Sequence, residues 1–334
     1  MKFLIAGFGS IGRRHLNNLR TLGENDLLLY RTHHSTLPLS EIGEIPVEYD
    51  LAAALAHRPD AVIISNPSAL HLDVAIPAAR AGCSILMEKP VSDSFAHVDE
   101  LKKALLEGGG QFMTAFQYRF HPGLLQVREW LTAGEIGAAI SVRAHWGEYL
   151  PGWHPWEDFR QSYAARKDLG GGVVNTLCHP LDYLRWMCGD VSSLWAFTAN
   201  TSDLYLEVED TAEIGLQFKN GTLATVHLDY LQRPARHTLE IIGDRGTLQW
   251  DNEDGIARLY RASTGQWIEI APPPDFERNR LFLAEMAHFI RVIKGEELPG
   301  CTLEDGLAAL KLTLAVHASA KLGCLVKLDE FQEV

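Results

Sequence analysis

The chain has little of what binds nucleic acid, crosses a bilayer or staples a secreted fold. Of its 334 residues, 30 are Lys or Arg and 43 are Asp or Glu, a net charge of −13. Such a deficit of cations excludes a phosphate-backbone partner unless charge is segregated along the chain. It is not segregated enough. Residues 1–120 carry 11 basic and 13 acidic side chains, and residues 121–334 carry 19 and 30 with no long basic block. No nucleic-acid partner is expected. No apolar run approaches the ~18 residues that span a membrane, so no membrane partner is expected either. Phe3-Leu4-Ile5-Ala6 has the look of a signal h-region only briefly, because Gly7, Gly9 and Gly12 interrupt it and Arg13-Arg14 follow. The five cysteines, Cys83, Cys178, Cys188, Cys301 and Cys324, are odd in number and form no CxxC. That excludes a disulfide scaffold and zinc-ligand spacing, and predicts reduced thiols in the cytoplasm with no metal. There is no internal repeat and no low-complexity tract. What remains is ordinary globular composition, 46% apolar and 22% charged, at a length that suits two domains of roughly 150 residues.

The first 120 residues alternate strand and helix. Lys2–Ala6 is a short apolar run, and Gly7-Phe8-Gly9-Ser10-Ile11-Gly12 separates it from a helical pattern through Leu16, Leu19 and Leu22. A GxGxxG between strand and helix has a mechanism. The first glycine makes the turn, the second admits a pyrophosphate, and the third lets helix and strand pack closely. The helix N-terminus then favours an anion, which makes Gly7, Gly9, Ser10, Ile11 and Gly12 dinucleotide-binding candidates. The next strand is Leu27–Tyr30, and no Asp or Glu follows it to read a ribose diol. Arg31-Thr32-His33-His34-Ser35 stands there instead. An arginine with hydroxyls suits a 2′-phosphate, so NADP is favoured over NAD, although a solvated loop arginine also fits.

Further along, Asp50 caps a helix over 51–57, strands are expected over 61–65, 84–87 and 111–116, and helices over 70–81 and from Ser92 or Asp93 to Leu106. This βαβα order predicts a doubly wound parallel sheet with ligands beyond its carboxyl edge. Asn66, Pro67, His71, Glu88, Lys89 and Pro90 fall at that edge. Lys89 follows a buried strand and can donate a hydrogen bond to a substrate oxygen; a plain surface lysine is the alternative.

Far downstream, Gly170-Gly171-Gly172 leads through Asn175 and Thr176 to His179, with Asp182 and Trp186 on the same helical face. His179 is placed either to exchange protons in a cleft or to be satisfied in the core by Asp182.

The glycine motif, Asn66-Pro67 with His71, Glu88-Lys89-Pro90, and the glycine run leading to His179 occur in that order. Together they resemble the family of glucose–fructose oxidoreductase, inositol 2-dehydrogenase and the rhizopine-catabolism oxidoreductases, over essentially the whole chain. The resemblance implies a nicotinamide cofactor, a cleft between two domains, and a catalytic lysine and histidine that map onto Lys89 and His179. Members of the family often carry an aspartate three or four residues before the histidine. Thr176 and Asn175 stand there, and neither can act as an anionic base.

From Ala139 the pattern changes to period 2, with Ile140, Val142, Ala144 and Trp146 on one face. Thr211–Phe218, Thr222–Tyr230, Thr238–Ile242 and Thr247–Asp251 continue it, with hairpin turns at Asn220-Gly221 and Asp244–Gly246. A large, mostly antiparallel sheet with many apolar positions and no obvious solvent-facing charge row predicts a homo-oligomer, dimer or tetramer, through that sheet. A buried helix is expected over Leu303–Leu322. Tyr149, Trp153, His154 and Trp156 crowd one polar segment, and Gln117, Arg119 and His121 lie upstream. Rings bind sugar C–H faces while Arg and His reach hydroxyls; alternatively, the rings cap the sheet.

The expectation is an α/β Rossmann domain over 1–120 and an α+β domain over 121–334 for substrate binding and oligomerisation. The activity expected is hydride transfer between a nicotinamide and a hydroxyl-bearing carbon of a sugar, sugar derivative or cyclitol. A non-turning nicotinamide sensor and a hydrolase using the nicotinamide transiently are the rival readings.

Overall fold

Lys2–Ala6 folds as strand β1 and is buried from Phe3 onward. Continuous apolar strands of this kind suit a parallel sheet covered on both faces. The computed structural model describes residues 1–32, 42–154 and 157–332. The chain divides into two units, 1–117 with 277–307, and 118–276 with 308–334. The expected two-part division is therefore not a single cut near residue 120, because a late segment joins the first unit.

In that unit β1 is followed by α1 (Ser10–Thr21), β2 (Asp26–Tyr30), β3 (Val47–Glu48), α2 (Leu51–Ala56), β4 (Ala61–Ile64), α3 (His71–Arg80), β5 (Ser84–Glu88), α4 (Val98–Gly108) and β6 (Phe112–Ala115). The strands pair in parallel in the order β3-β2-β1-β4-β5-β6. This is the doubly wound sheet predicted. β3 spans two residues, too few to show a pattern. Asp50 caps α2 by accepting from the Ala53 N–H at 2.8 Å. α4 does not open at Ser92 or Asp93. It opens at Val98, after His97 takes a left-handed conformation (φ 62°). The register sets Ala6 beside both Tyr30 and Ile64, so the carboxyl ends of β1, β2 and β4 lie level. Strand order reverses between β1 and β4, where such sheets bind ligands.

The second unit holds α5 (Pro122–Thr132), β7 (Ala139–Gly147), α6 (Val173–Thr176), α7 (His179–Cys188), β8 (Val191–Ala199), β9 (Thr211–Phe218), β10 (Leu223–Asp229), β11 (Arg236–Gly243), β12 (Gly246–Asp251), β13 (Ala257–Arg261) and β14 (Gln266–Ile270). α8 (Asn279–Ile293) belongs to the first unit and packs on α1. The division falls inside α9 (Leu303–Leu322), and β15 (Val326–Lys327) returns to the second unit. Among the described residues its sheet has nine strands, in the order β14-β13-β12-β11-β7-β10-β9-β8-β15. β7 and β10 pair in parallel and every other junction is antiparallel.

Alternation places Val142, Ala144, Trp146, Val226, Leu239 and Trp250 in the core. α5 packs on β12 and β13, α6 on β9 and β10, and α7 on β7. Two expectations need correction here. Ile140, at the start of β7, is exposed, whereas Val142, Ala144 and Trp146 further along the strand are buried. The other face also carries charge after all: Arg143 meets Glu240 at 2.8 Å, and Glu213 meets His227 at 2.6 Å. The cross-strand pairing that assembles these pairs is invisible in single-strand periodicity. Among the described residues no helix is long and apolar enough to cross a membrane.

Candidate active site

In the first unit the glycine turn separates two kinds of requirement. Gly7 has φ +94°, and a Cβ there would lie 2.5 Å from the Asn66 backbone nitrogen. A Cβ on Gly12 would lie 2.2 Å from the Gly7 carbonyl oxygen and 2.9 Å from the Ser65 hydroxyl. Both glycines are demanded by the protein's own packing. Gly9 is different, because a Cβ there meets nothing within 4 Å. That space lies at the N-terminus of α1, which no side chain caps. Main-chain geometry, a helix dipole and open room suit a pyrophosphate. A nicotinamide dinucleotide fits this end of the unit by its own features.

The edge beyond β4 and β5 is tied together by His71, whose Nε2 lies 2.9 Å from the Asn66 carbonyl and whose Nδ1 lies 2.9 Å from the Pro90 carbonyl. Burial lowers its pKa against the pull of those carbonyls. Asn66 donates to the Leu70 carbonyl at 2.8 Å. Lys89 is half-buried at the end of β5. Glu88 is buried, and its Oε1 lies 2.8 Å from His15 Nε2 on α1. Burial alone would raise the Glu88 pKa, but the His15 bond and the charges of His15, Lys89 and His71 outweigh it and hold it low. Glu88, a candidate for cofactor, is thus tied to α1. Arg31 is 7% exposed, and its backbone N–H donates to Glu48 at 3.2 Å. His33, His34 and Ser35 lie outside the described residues.

Sequence reasoning misses Glu285. It is fully buried on α8, and neither carboxyl oxygen has a hydrogen-bond partner among the described residues. Burial, then the nearby charge of Glu88, pushes its pKa well above the usual carboxylate range. These surroundings favour its neutral form, beside the Glu88 carboxylate.

In the second unit His179 is the first residue of α7 and is 2% exposed. Its ring packs against Tyr118 (centroids 5.1 Å apart) and Trp146 (5.3 Å). Asp182 takes the Arg119 guanidinium in a two-point contact, 2.9 Å to Nε and 2.7 Å to Nη2, both groups buried. Arg119, a candidate for substrate, holds this buried ion pair. Asn175 is buried, and its Nδ2 donates to Gly170 and Gly171 at 3.3 and 3.4 Å. Its Oδ1 has no partner among the described residues. Thr176 is buried beside it. Glu209 accepts from the Val174 N–H at 3.1 Å and lies against Gly172. No motif announces Glu209, nor His237, which stacks on Trp146 at 4.3 Å.

His121 caps α5, its Nδ1 accepting from the Gly123 N–H at 3.0 Å. Burial pushes its pKa down to about 4. Tyr149 lies under the Arg233 guanidinium at 4.0 Å, and Trp153 meets Tyr230 edge-on at 5.7 Å. The Trp153 indole N–H has no acceptor among the described residues. His154 is half-buried, Gln117 is buried in the first unit, and Trp156 lies outside the described residues. The candidates fall into one group per unit, Lys89 in the first and His179 in the second.

Residues 1–116 match the family model described as oxidoreductase family, NAD-binding Rossmann fold, and residues 124–249 match the GFO/IDH/MocA C-terminal domain. The chain belongs to the GFO/IDH/MocA oxidoreductase family. It is an NAD-binding oxidoreductase of the dehydrogenase or reductase type. It is similar to D-xylose 1-dehydrogenase (NADP(+)) 2 of Haloferax volcanii, 29% identical over 86% of this chain and 87% of that one. It is also similar to myo-inositol 2-dehydrogenase of Thermotoga maritima, 26% identical over 99% of each. A solved levoglucosan dehydrogenase in complex with NADH has the same fold, with a TM-score of 0.86 at 18% identity over 98% of this chain and 99% of the other.

Proposed function

We propose that this member of the GFO/IDH/MocA family transfers a hydride between NADP and a hydroxyl-bearing carbon of a sugar, sugar derivative or cyclitol. The observation that carries the reading is the open space at Gly9, which follows β1 at the same carboxyl edge of the sheet where Lys89 follows β5. Bound nicotinamide supplies the hydride acceptor or donor. In oxidation, His179 takes the hydroxyl proton at its ring nitrogen, and Lys89 donates a hydrogen bond to the same oxygen as negative charge builds on it. Asn175 and Thr176 orient substrate hydroxyls without exchanging protons. The indole N–H of Trp153 serves as a further donor.

The NADP preference rests on Arg31, on the lack of an acid after β2, and on the cofactor named for the Haloferax relative. A polyhydroxylated substrate rests on the buried polar groups around His179 and on the names of the relatives. Assembly as a dimer or tetramer through the outer face of the nine-stranded sheet belongs to the same proposal. Trp195 and Phe197 are 42% and 70% exposed on that face. A cytoplasmic setting fits five free thiols, four of them buried.

The test is thermal stabilisation by NADP and NAD, then a sugar and polyol panel followed by absorbance of the reduced nicotinamide. Turnover with NADP preferred is the expected result, and Arg31→Ala should weaken NADP more than NAD. Binding without turnover on any substrate would leave a sensor and overturn the enzyme reading. For assembly, light scattering should give a multiple of the 37.1 kDa chain mass. A clean monomer at micromolar concentration removes the oligomer.

A further inference from the structure

On the outer face of the nine-stranded sheet, the parallel junction of β7 and β10 pairs His145 with His227 and Gly147 with Asp229. Same-face residues in register are neighbours across a sheet. The two imidazoles stack with ring centroids 4.6 Å apart. One donor atom each from His145, His227 and Asp229 lies within 4.8 Å of the others, and His227 Nε2 is 2.9 Å from Asp229 Oδ2. Gln232 adds an amide oxygen 2.5 Å from His145 Nε2. Asp229 Oδ2 and Gln232 Oε1 both converge over Gly147, at 2.2 and 2.5 Å from where a Cβ would stand. Any side chain at position 147 would fill the space that these oxygens use.

A further carboxylate orients the set. Glu213 on β9 is the register partner of His227, and its Oε1 lies 2.6 Å from His227 Nδ1. Nε2 faces the Asp229 carboxylate in turn, so a cation would displace the Nε2 proton and take that nitrogen while Nδ1–H stays on Glu213, the arrangement that metal-bound histidines use. Asp229 is fixed from behind, since its Oδ1 accepts from the Leu231 and Gln232 N–H groups at 2.7 and 2.6 Å.

We propose that His145, His227, Asp229 and Gln232 form a binding site for a late first-row divalent cation, zinc in the first instance. Two imidazoles, one carboxylate and one amide oxygen with no thiolate suit zinc or its neighbours better than calcium or magnesium, which prefer all-oxygen shells. Ligands of one tetrahedral zinc ion stand ~3.4 Å apart at bond lengths of ~2.0–2.1 Å, so a side-chain swing of about an ångström closes the set. The bound cation would pin the parallel junction of an otherwise antiparallel sheet. The site uses none of the residues of the dinucleotide turn and does not use His179, and it does not depend on the oxidoreductase reading.

The test is titration of the chelator-treated full chain with cobalt(II), read by its visible d–d absorption. The expected result is a saturating spectrum of four-coordinate intensity, stoichiometric with the chain and displaced by zinc. His145→Asn and His227→Asn should each weaken binding ~100-fold or more, and Glu213→Ala about 10–100-fold. Glu213 is exposed, so its variant keeps the fold and decides the matter if a histidine variant does not. A weak six-coordinate spectrum, or titrations of Glu213→Ala and His227→Asn that match the unaltered protein, would overturn the site.

Discussion

At the carboxyl edge of the first unit's sheet, the dinucleotide turn is made of main chain: three glycines, a helix N-terminus and three level strand ends. Around His179 in the second unit, the polar site is made of side chains, Tyr118, Trp146, Arg119, Asp182 and Glu209, delivered by four separate stretches of sequence. A main-chain site lies in one continuous motif and tolerates change only where its own atoms leave room. A side-chain site is distributed, and its stability rests on pairs that cannot be broken singly.

The largest expected effect sharpens the first half of that comparison. Gly9→Glu should abolish dinucleotide binding yet leave the melting temperature near its original value, because nothing of the protein lies within 4 Å of the new Cβ. Gly12→Ala should behave in the opposite way. Its Cβ would press on the Gly7 carbonyl, at a cost of about 1–3 kcal/mol of stability. Titration and denaturation of both variants check the contrast, and equal destabilisation would break it.

In the second unit, Arg119→Ala removes the two-point guanidinium contact from the buried Asp182 carboxylate, which should cost ~3–5 kcal/mol. Denaturant unfolding measures this. A loss below ~1 kcal/mol would mean that the pair is not the clamp its geometry indicates.

Glu285 gives a smaller, pH-dependent effect. A carboxyl whose pKa is raised on folding contributes stability that is fully present below its unfolded value of ~4.3 and is lost as pH rises through the folded value. Glu285→Gln should match the unaltered protein near pH 4 and become progressively the more stable of the two as pH climbs. A stability gap that does not change with pH would mean that Glu285 is ionised in the fold.

How far the chain is legible follows the same division. The glycine motif could be read residue by residue because Gly7 and Gly12 answer demands of local packing and Gly9 leaves room at the helix N-terminus. Lys89 was visible because a buried apolar strand ends just before it. Glu285 was not, since one acid among Leu281, Phe282, Met286 and Phe289 carries no sign of which helical face is covered. The start of α4 was misplaced because Ser92 and Asp93 are good caps on paper, whereas the turn is made at His97. For Arg119 and His121, read as substrate contacts, no spacing announced the arginine's partner 63 residues away or the histidine's use as a cap, which are facts of packing. His145 and His227 escaped any metal-spacing rule because their proximity comes from strand register, not from sequence distance.

The central claim is that Lys89 and His179 act on one substrate oxygen. The measurement is kcat and KM for Lys89→Ala, His179→Ala and the double variant, with Asn175→Ala and Thr176→Ala alongside, on the sugar or polyol that the panel identifies. Each of the first two should lose about 10²–10⁴-fold in turnover with dinucleotide binding nearly intact. The double variant should fall far short of the product of the two losses, and Asn175→Ala and Thr176→Ala should be milder. Full activity in His179→Ala, or strictly multiplicative losses in the double variant, would contradict the claim.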